Sequence, residues 1–273
     1  MKTVILRVLA LSVLTLLLIF FWQSPVLKPF KLFVVFLHET SHAIATILTG
    51  GKLSAISIEW DESGATYAAS GKGIFFLIAI AGYIGSILWG YMMLKASLTS
   101  RYVRTVSLVV GLTVIFFGFF PDGDGPVTAQ SDKYLKYLIS GIWGLTLTVS
   151  AFILPRFNHI LLFFLGGLTA LYSLYDLNDF IHGDVMRTDA GILAFYMLGK
   201  SSLVKPLAYI IAGFISAVSI YIFLRLIRTA LRVEPVMEEG VDLAEWQAQN
   251  PDVEITPEML DWLKSQGKKT PTE

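Results

Sequence analysis

FVVFLHETSHAIATILT, residues 33–49, sets three ionisable side chains, His38, Glu39 and His42, inside an otherwise apolar run. Phe33, Val34, Val35, Phe36 and Leu37 precede them, and Ala43, Ile44, Ala45, Ile47 and Leu48 follow. On a soluble surface helix the same spacing is often a solvated polar patch. Here the flanks withhold water, and ionisable groups kept in an apolar segment mark a functional site. The spacing is H-E-x-x-H. Residues four apart share a helix face, so His38 and His42 present two imidazoles to one metal ion. Glu39 stands where it can act as a base toward a water on that ion, for which Zn²⁺ is the expected identity.

Composition agrees with a membrane setting. The chain has 273 residues, 55% hydrophobic and 15% charged, with mean hydropathy +0.65. Soluble domains carry about 25% charged residues, so the apolar surplus must face lipid. The expected fold is an all-α polytopic protein, integral to the bilayer and multi-pass. A net charge of zero gives no electrostatic case for nucleic acid. The absence of Cys excludes disulfides, thiolate ligands and a Cys nucleophile.

About seven transmembrane helices are expected. The first lies in 1–22, with Lys2 and Arg7 at its start and no small-x-small cleavage pattern. The others are 30–48, 74–94, 102–120, 135–154, 159–174 and 206–226, with a short helical piece at 189–198. Between 52 and 70, Ile56 and Ile58 alternate with Ser57 and Glu59, and Asp61-Glu62-Ser63-Gly64 reads as a turn. That predicts a small β-hairpin beside the motif helix. It is either an interfacial loop or an edge that pairs with an extended substrate. Gly82, Ser86 and Gly90 recur every fourth residue, a small-residue stripe expected to pack on the motif helix. The organisation is thus 1–29, a first helix and turn; 30–232, the membrane-embedded domain; and 233–273, an acidic flexible tail. The tail is read as solvated, with a soluble protein partner as the other use of its acidic face. Lys and Arg near the span ends divide evenly, so the orientation and the membrane stay open.

A catalytic zinc keeps three protein ligands and one open position. The chain has four His, and His159 and His182 read as interfacial or loop residues. The third ligand is therefore sought among carboxylates. The second and sixth spans run in the same direction, which brings the ends of both to one side. Asp176 then lies at a depth similar to His42 and is placed first. Asp189, opening the short helix, comes second and Asp179 third. Asp122 and Asp124 read as a turn.

These motifs resemble a family. His-Glu-Thr-Ser-His-Ala from His38, Thr49-Gly50-Gly51, Gly64-Ala65-Thr66 and Ala81-Gly82-Tyr83-Ile84-Gly85-Ser86 look like the M50B-like membrane metallopeptidases, relatives of the site-2 proteases. Tyr175-Asp176-Leu177 followed by Thr188-Asp189-Ala190 is similar to later elements of that family. The likeness covers most of 37–198. It implies intramembrane zinc proteolysis of a transmembrane protein substrate, with His38 and His42 as ligands and Glu39 as the catalytic carboxylate. Site-2 proteases proper take their third ligand from a Leu-Asp-Gly motif, which this chain lacks; Pro121-Asp122-Gly123 is a partial echo. The alternative is a catalytically silent metal-binding scaffold or transporter of the same fold. A transporter more often shows an internal repeat, and none is seen.

Overall fold

A computed structural model describes residues 2–69, 73–99, 102–120, 134–175 and 184–231, with positions 251, 256 and 257 of the tail. The chain divides into two units, Met1–Val233 and Glu234–Glu273. Asp122, Asp124, Asp176, Asp179 and His182, and nearly all of the expected tail helices, lie outside the described residues.

The first unit is helical apart from one hairpin. Its elements are α1 (Lys2–Phe20), α2 (Lys28–Leu48), β1 (Lys52–Ile58), β2 (Gly64–Ala69), α3 (Phe75–Thr99), α4 (Val103–Gly118), α5 (Leu135–Ile153), α6 (Pro155–Tyr175), α7 (Asp189–Leu198) and α8 (Val204–Leu231). Among the described residues, four segments are long and apolar enough to cross a membrane: Pro25–Leu48, Phe75–Thr99, Leu135–Ile153 and Val204–Arg225. The helix boundaries agree with the sequence reading to within a few residues. The seven expected spans are not all matched by length: α4 has 16 residues, about 24 Å at 1.5 Å per residue, short of a layer about 30 Å thick.

Helix α2 is the centre of the first unit. Pro29 stands in its first turn, where a missing N–H costs nothing. Thirteen of its 21 residues are buried, including Glu39, Thr40, Ser41 and His42. Two of its hydroxyls are satisfied within the helix: Ser41 Oγ donates to the Leu37 carbonyl and Thr46 Oγ1 to that of His42, both at 2.8 Å. Leu32, Phe33 and Phe36 join Val110 and Val114 of α4, Leu147 of α5 and Leu162 and Leu165 of α6 in the main core.

The hairpin is antiparallel, pairing Ile58 with Gly64, Ile56 with Thr66 and Lys52 with Ala69, with an irregularity between Leu53 and Ala55. It begins just past the end of α2, yet at its tip Glu62 Oε1 meets Lys31 Nζ in the first turn of α2 at 2.7 Å. The hairpin therefore runs back along the helix. The 18 residues from Lys31 to Leu48 make about 27 Å of helix. The hairpin lies along the flank of α2 rather than at one end of it.

The small-residue stripe on α3 divides its work. Gly82 and Ser86 face α2, whereas a Cβ at Gly90 would lie 2.7 Å from the Ala170 nitrogen of α6. The expectation that the whole stripe packs on the motif helix is corrected at Gly90: α3 crosses from α2 to α6 within two turns, and the close approach shifts with it.

Candidate metal centre

Helix α2 brings His38 and His42 to one face, with ring centroids 4.9 Å apart. One ligand atom from each of His38, Glu39 and His42 lies within 4.8 Å of the others, a cluster able to hold a metal ion. The third side is closed from far along the chain. Asp189 Oδ2 stands 3.2 Å from His38 Nε2 and 3.2 Å from His42 Nε2.

Local structure explains how Asp189 reaches them. Thr188 caps α7, its Oγ1 accepting from the Gly191 N–H at 3.4 Å. Asp189 is thus the first helical residue, where a carboxylate suits the positive end of the helix. Ala190, Leu193 and Ala194 of α7 pack with Ala79 and Tyr83 of α3 and with Ala208, Ile211 and Ala212 of α8 in a second core. These small residues let α7 sit close enough for its first residue to face α2.

The orientation of the rings fits a cation. His42 Nδ1 lies 2.7 Å from the Ile78 carbonyl of α3. A carbonyl only accepts, so Nδ1 carries the hydrogen and the Nε2 of a neutral ring presents a lone pair. That lone pair faces an Asp189 oxygen, which is itself an acceptor when ionised. Two acceptors at 3.2 Å suit a cation between them. His38 is held in parallel: its Nδ1 lies 3.3 Å from Ser86 Oγ, and the Tyr83 ring stands perpendicular to it at 5.0 Å. Outer partners of this kind set tautomer and direction in metal sites. Space is kept as well, since a Cβ at Gly82 would collide with the Nε2 atoms of both His38 and His42. The donor set, the tautomer and the cleared space all fit a metal ion.

Glu39 points to the hairpin side. Thr66 Oγ1 of β2 lies 2.8 Å from Glu39 Oε2 and 2.8 Å from the Glu39 carbonyl. At Gly64 a Cβ would meet Glu39 Cγ at 2.8 Å and Oε1 at 2.9 Å, so β2 lies directly on the carboxylate. Of the expected site residues, the structure brings together His38, Glu39, His42 and Asp189; Asp176 and Asp179 lie outside the described residues. Thr66, Gly82, Ser86 and the Ile78 carbonyl had no individual role in the sequence reading. Gly82 and Ser86 were visible only as part of a periodicity, and Thr66 only as part of a family-like triplet.

A helical bundle with apolar segments long enough to cross a membrane holds a His-Glu-His cluster able to bind a metal ion, with Glu39 and His42 buried and His38 half-buried. The family model described as Peptidase M50B-like matches residues 11–225. That covers most of the chain, and the chain belongs to this family. No match was found among curated proteins or among solved structures.

Proposed function

We propose that the chain is an intramembrane zinc endopeptidase that hydrolyses peptide bonds in the membrane segments of other proteins. The observation that carries this reading is the meeting of His38, His42 and Asp189 in front of one cleared space, with Glu39 adjacent. Membership of a peptidase family supports it. Asp189, rather than Asp176, is taken as the third ligand, because its oxygen faces both ring nitrogens.

In this reading His38 Nε2, His42 Nε2 and Asp189 Oδ2 hold the ion. A zinc ion there supplies Lewis-acid polarisation of the scissile carbonyl and acidifies water. The Ile78 carbonyl and Ser86 keep the two rings turned inward. Glu39 takes the proton from the attacking water and delivers it to the leaving amine nitrogen, while the Thr66 hydroxyl fixes its Oε2. A helical substrate has its amides already paired, so it must unwind before a bond is exposed. A hairpin lying against Glu39 offers strand edges on which an unwound segment pairs in extended form.

The test joins metal content to cleavage. Zinc is measured on detergent-purified protein for the wild type, His42→Ala, Asp189→Ala and Asp176→Ala, and cleavage of a model transmembrane substrate is followed for Glu39→Gln. The expected result is about one zinc per chain, lost in His42→Ala and Asp189→Ala and kept in Asp176→Ala, with Glu39→Gln metal-bound and inactive. Zinc lost in Asp176→Ala and kept in Asp189→Ala would return the third ligand to Asp176. Cleavage surviving Glu39→Gln would refute the enzyme reading in favour of a metal-binding scaffold.

A further inference from the structure

A cavity of about 370 Å³ opens between Tyr102, Val103 and Arg104 at the start of α4, Ala151 near the end of α5, and Pro155, Asn158 and His159 in the first turns of α6. No residue of the metal centre lines it. Two helices begin on its wall. The first N–H groups of α4 have no side-chain cap, and α6 starts at Pro155. Helix starts carry partial positive charge and free N–H groups, which suit an anion.

Side chains add to this. Arg104 donates from Nε to the Ala151 carbonyl at 3.2 Å, and its guanidinium lies over the Phe152 ring at 5.7 Å. Those contacts hold the group at the cavity, and its terminal nitrogens have no hydrogen-bond partner among the described residues. Asn158 is only 1% exposed. Its Oδ1 takes Ser107 Oγ at 2.7 Å and Ser150 Oγ at 3.1 Å. That leaves the amide NH₂ without a partner among the described residues, on the cavity wall, where it can donate to an anion. No Asp or Glu occurs in residues 63–121 or 133–175, which hold Lys72, Lys95, Arg101, Arg104, Lys133, Lys136 and Arg156. Nothing in these segments competes for the cations.

The surroundings indicate what carries the anion. Beside the cavity, Phe152, Ile153, Leu154, Phe157 and Ile160 are all exposed. Phe152 and Ile153 end α5, which is apolar and long enough to cross a membrane, and Phe157 and Ile160 lie in the first turns of α6. A cationic cavity at the edge of an apolar collar matches a lipid: a charged head in the cavity and acyl chains along the collar.

We propose that this cavity binds the phosphate of an anionic phospholipid, with Arg104, the Asn158 amide and the α4 start as its donors. The site is independent of the peptidase reading. The test uses delipidated full-length protein and native mass spectrometry with added phosphatidylglycerol, phosphatidylcholine or inorganic phosphate. The wild type should retain phosphatidylglycerol in preference to phosphatidylcholine. Arg104→Gln should weaken that binding about tenfold or more, as expected for loss of a charge-assisted bond. Arg104→Lys should fall between, and Lys200→Gln, exposed on α7's outgoing connection, should match the wild type. Equal retention by folded Arg104→Gln would overturn the proposal, as would equal binding of the two lipids. Melting protection by inorganic phosphate as large as that by phosphatidylglycerol would overturn the lipid as the source. If Arg104→Gln does not fold, Asn158→Asp takes its place, which keeps an acceptor for Ser107 and Ser150 but puts a carboxylate on the cavity wall; it should weaken phosphatidylglycerol several-fold, and unchanged binding overturns the site.

Discussion

Gly82→Ala tests the metal centre without replacing any proposed ligand. The added Cβ would stand well inside contact distance of His38 Nε2, His42 Nε2 and His38 Cε1 at once. Comfortable carbon contacts begin at about 3.5 Å, so both rings must retreat by roughly 1 Å. Metal sites tolerate ligand shifts of about 0.2 Å, so the displacement is several times too large. Losing a supporting partner alone costs about 10–100-fold in metal affinity. Displacing two first ligands should exceed that, giving a loss above about 100-fold, or about 2.8 kcal/mol at 1.4 kcal/mol per tenfold. Gly85→Ala is the matched control. Its Cβ would strike the Ser41 side chain in the same helix pair, with a comparable overpacking cost of about 1–3 kcal/mol. Both variants should melt earlier in detergent, but only Gly82→Ala should lose zinc in a chelator competition. Wild-type zinc affinity in folded Gly82→Ala would refute the claim that the ion sits in front of the two Nε2 atoms.

Three further outcomes are expected. Thr66→Val should keep zinc yet slow cleavage about five- to tenfold, the worth of one hydrogen bond of about 1 kcal/mol to Glu39 Oε2; parallel kinetics and metal analysis check it. Glu62→Gln should destabilise the protein by about 3–5 kcal/mol, because it strands Lys31, which is 5% exposed, without its charge partner; the double change with Lys31→Met should recover part of that in thermal melts. Asp61 is held below the usual carboxylate range by the Ser63 hydroxyl and then by the Ser63 N–H. A depressed carboxylate stabilises above its unfolded value and is lost as pH falls through its folded one, so Trp60 fluorescence at the hairpin tip should be flat from pH 7 to about pH 4 and change only below that.

The legible parts of this protein were the local ones. His38, Glu39 and His42 lie within five residues, and helical spacing alone puts the two rings together. The hairpin was readable from alternation at Ile56 and Ile58, because a period of two needs no tertiary knowledge. Its course back along α2 was not readable, since that depends on the Lys31–Glu62 pair and on Gly64 fitting against Glu39. Span parity offered Asp189 on the side of His42, where the structure has it, but ranked it behind Asp176 by depth along the sixth span. It could not anticipate that α7, a ten-residue helix, folds against α3 and α8 and turns its first residue to the histidines. Gly90 shows the same limit: a stripe of small residues announces close packing without naming the neighbour.

His38 and Asp189 meet across 151 positions of sequence. A lasting link there would close a ring containing the hairpin and α3 to α6. By the chain-entropy estimate, a permanent link of that span takes about 5 kcal/mol of freedom from the unfolded chain. The same ion that serves chemistry would then act as a clasp on the bundle. Withdrawing it with a chelator should be felt as earlier, less cooperative melting of the ring as a whole, well beyond the few side chains that touch it.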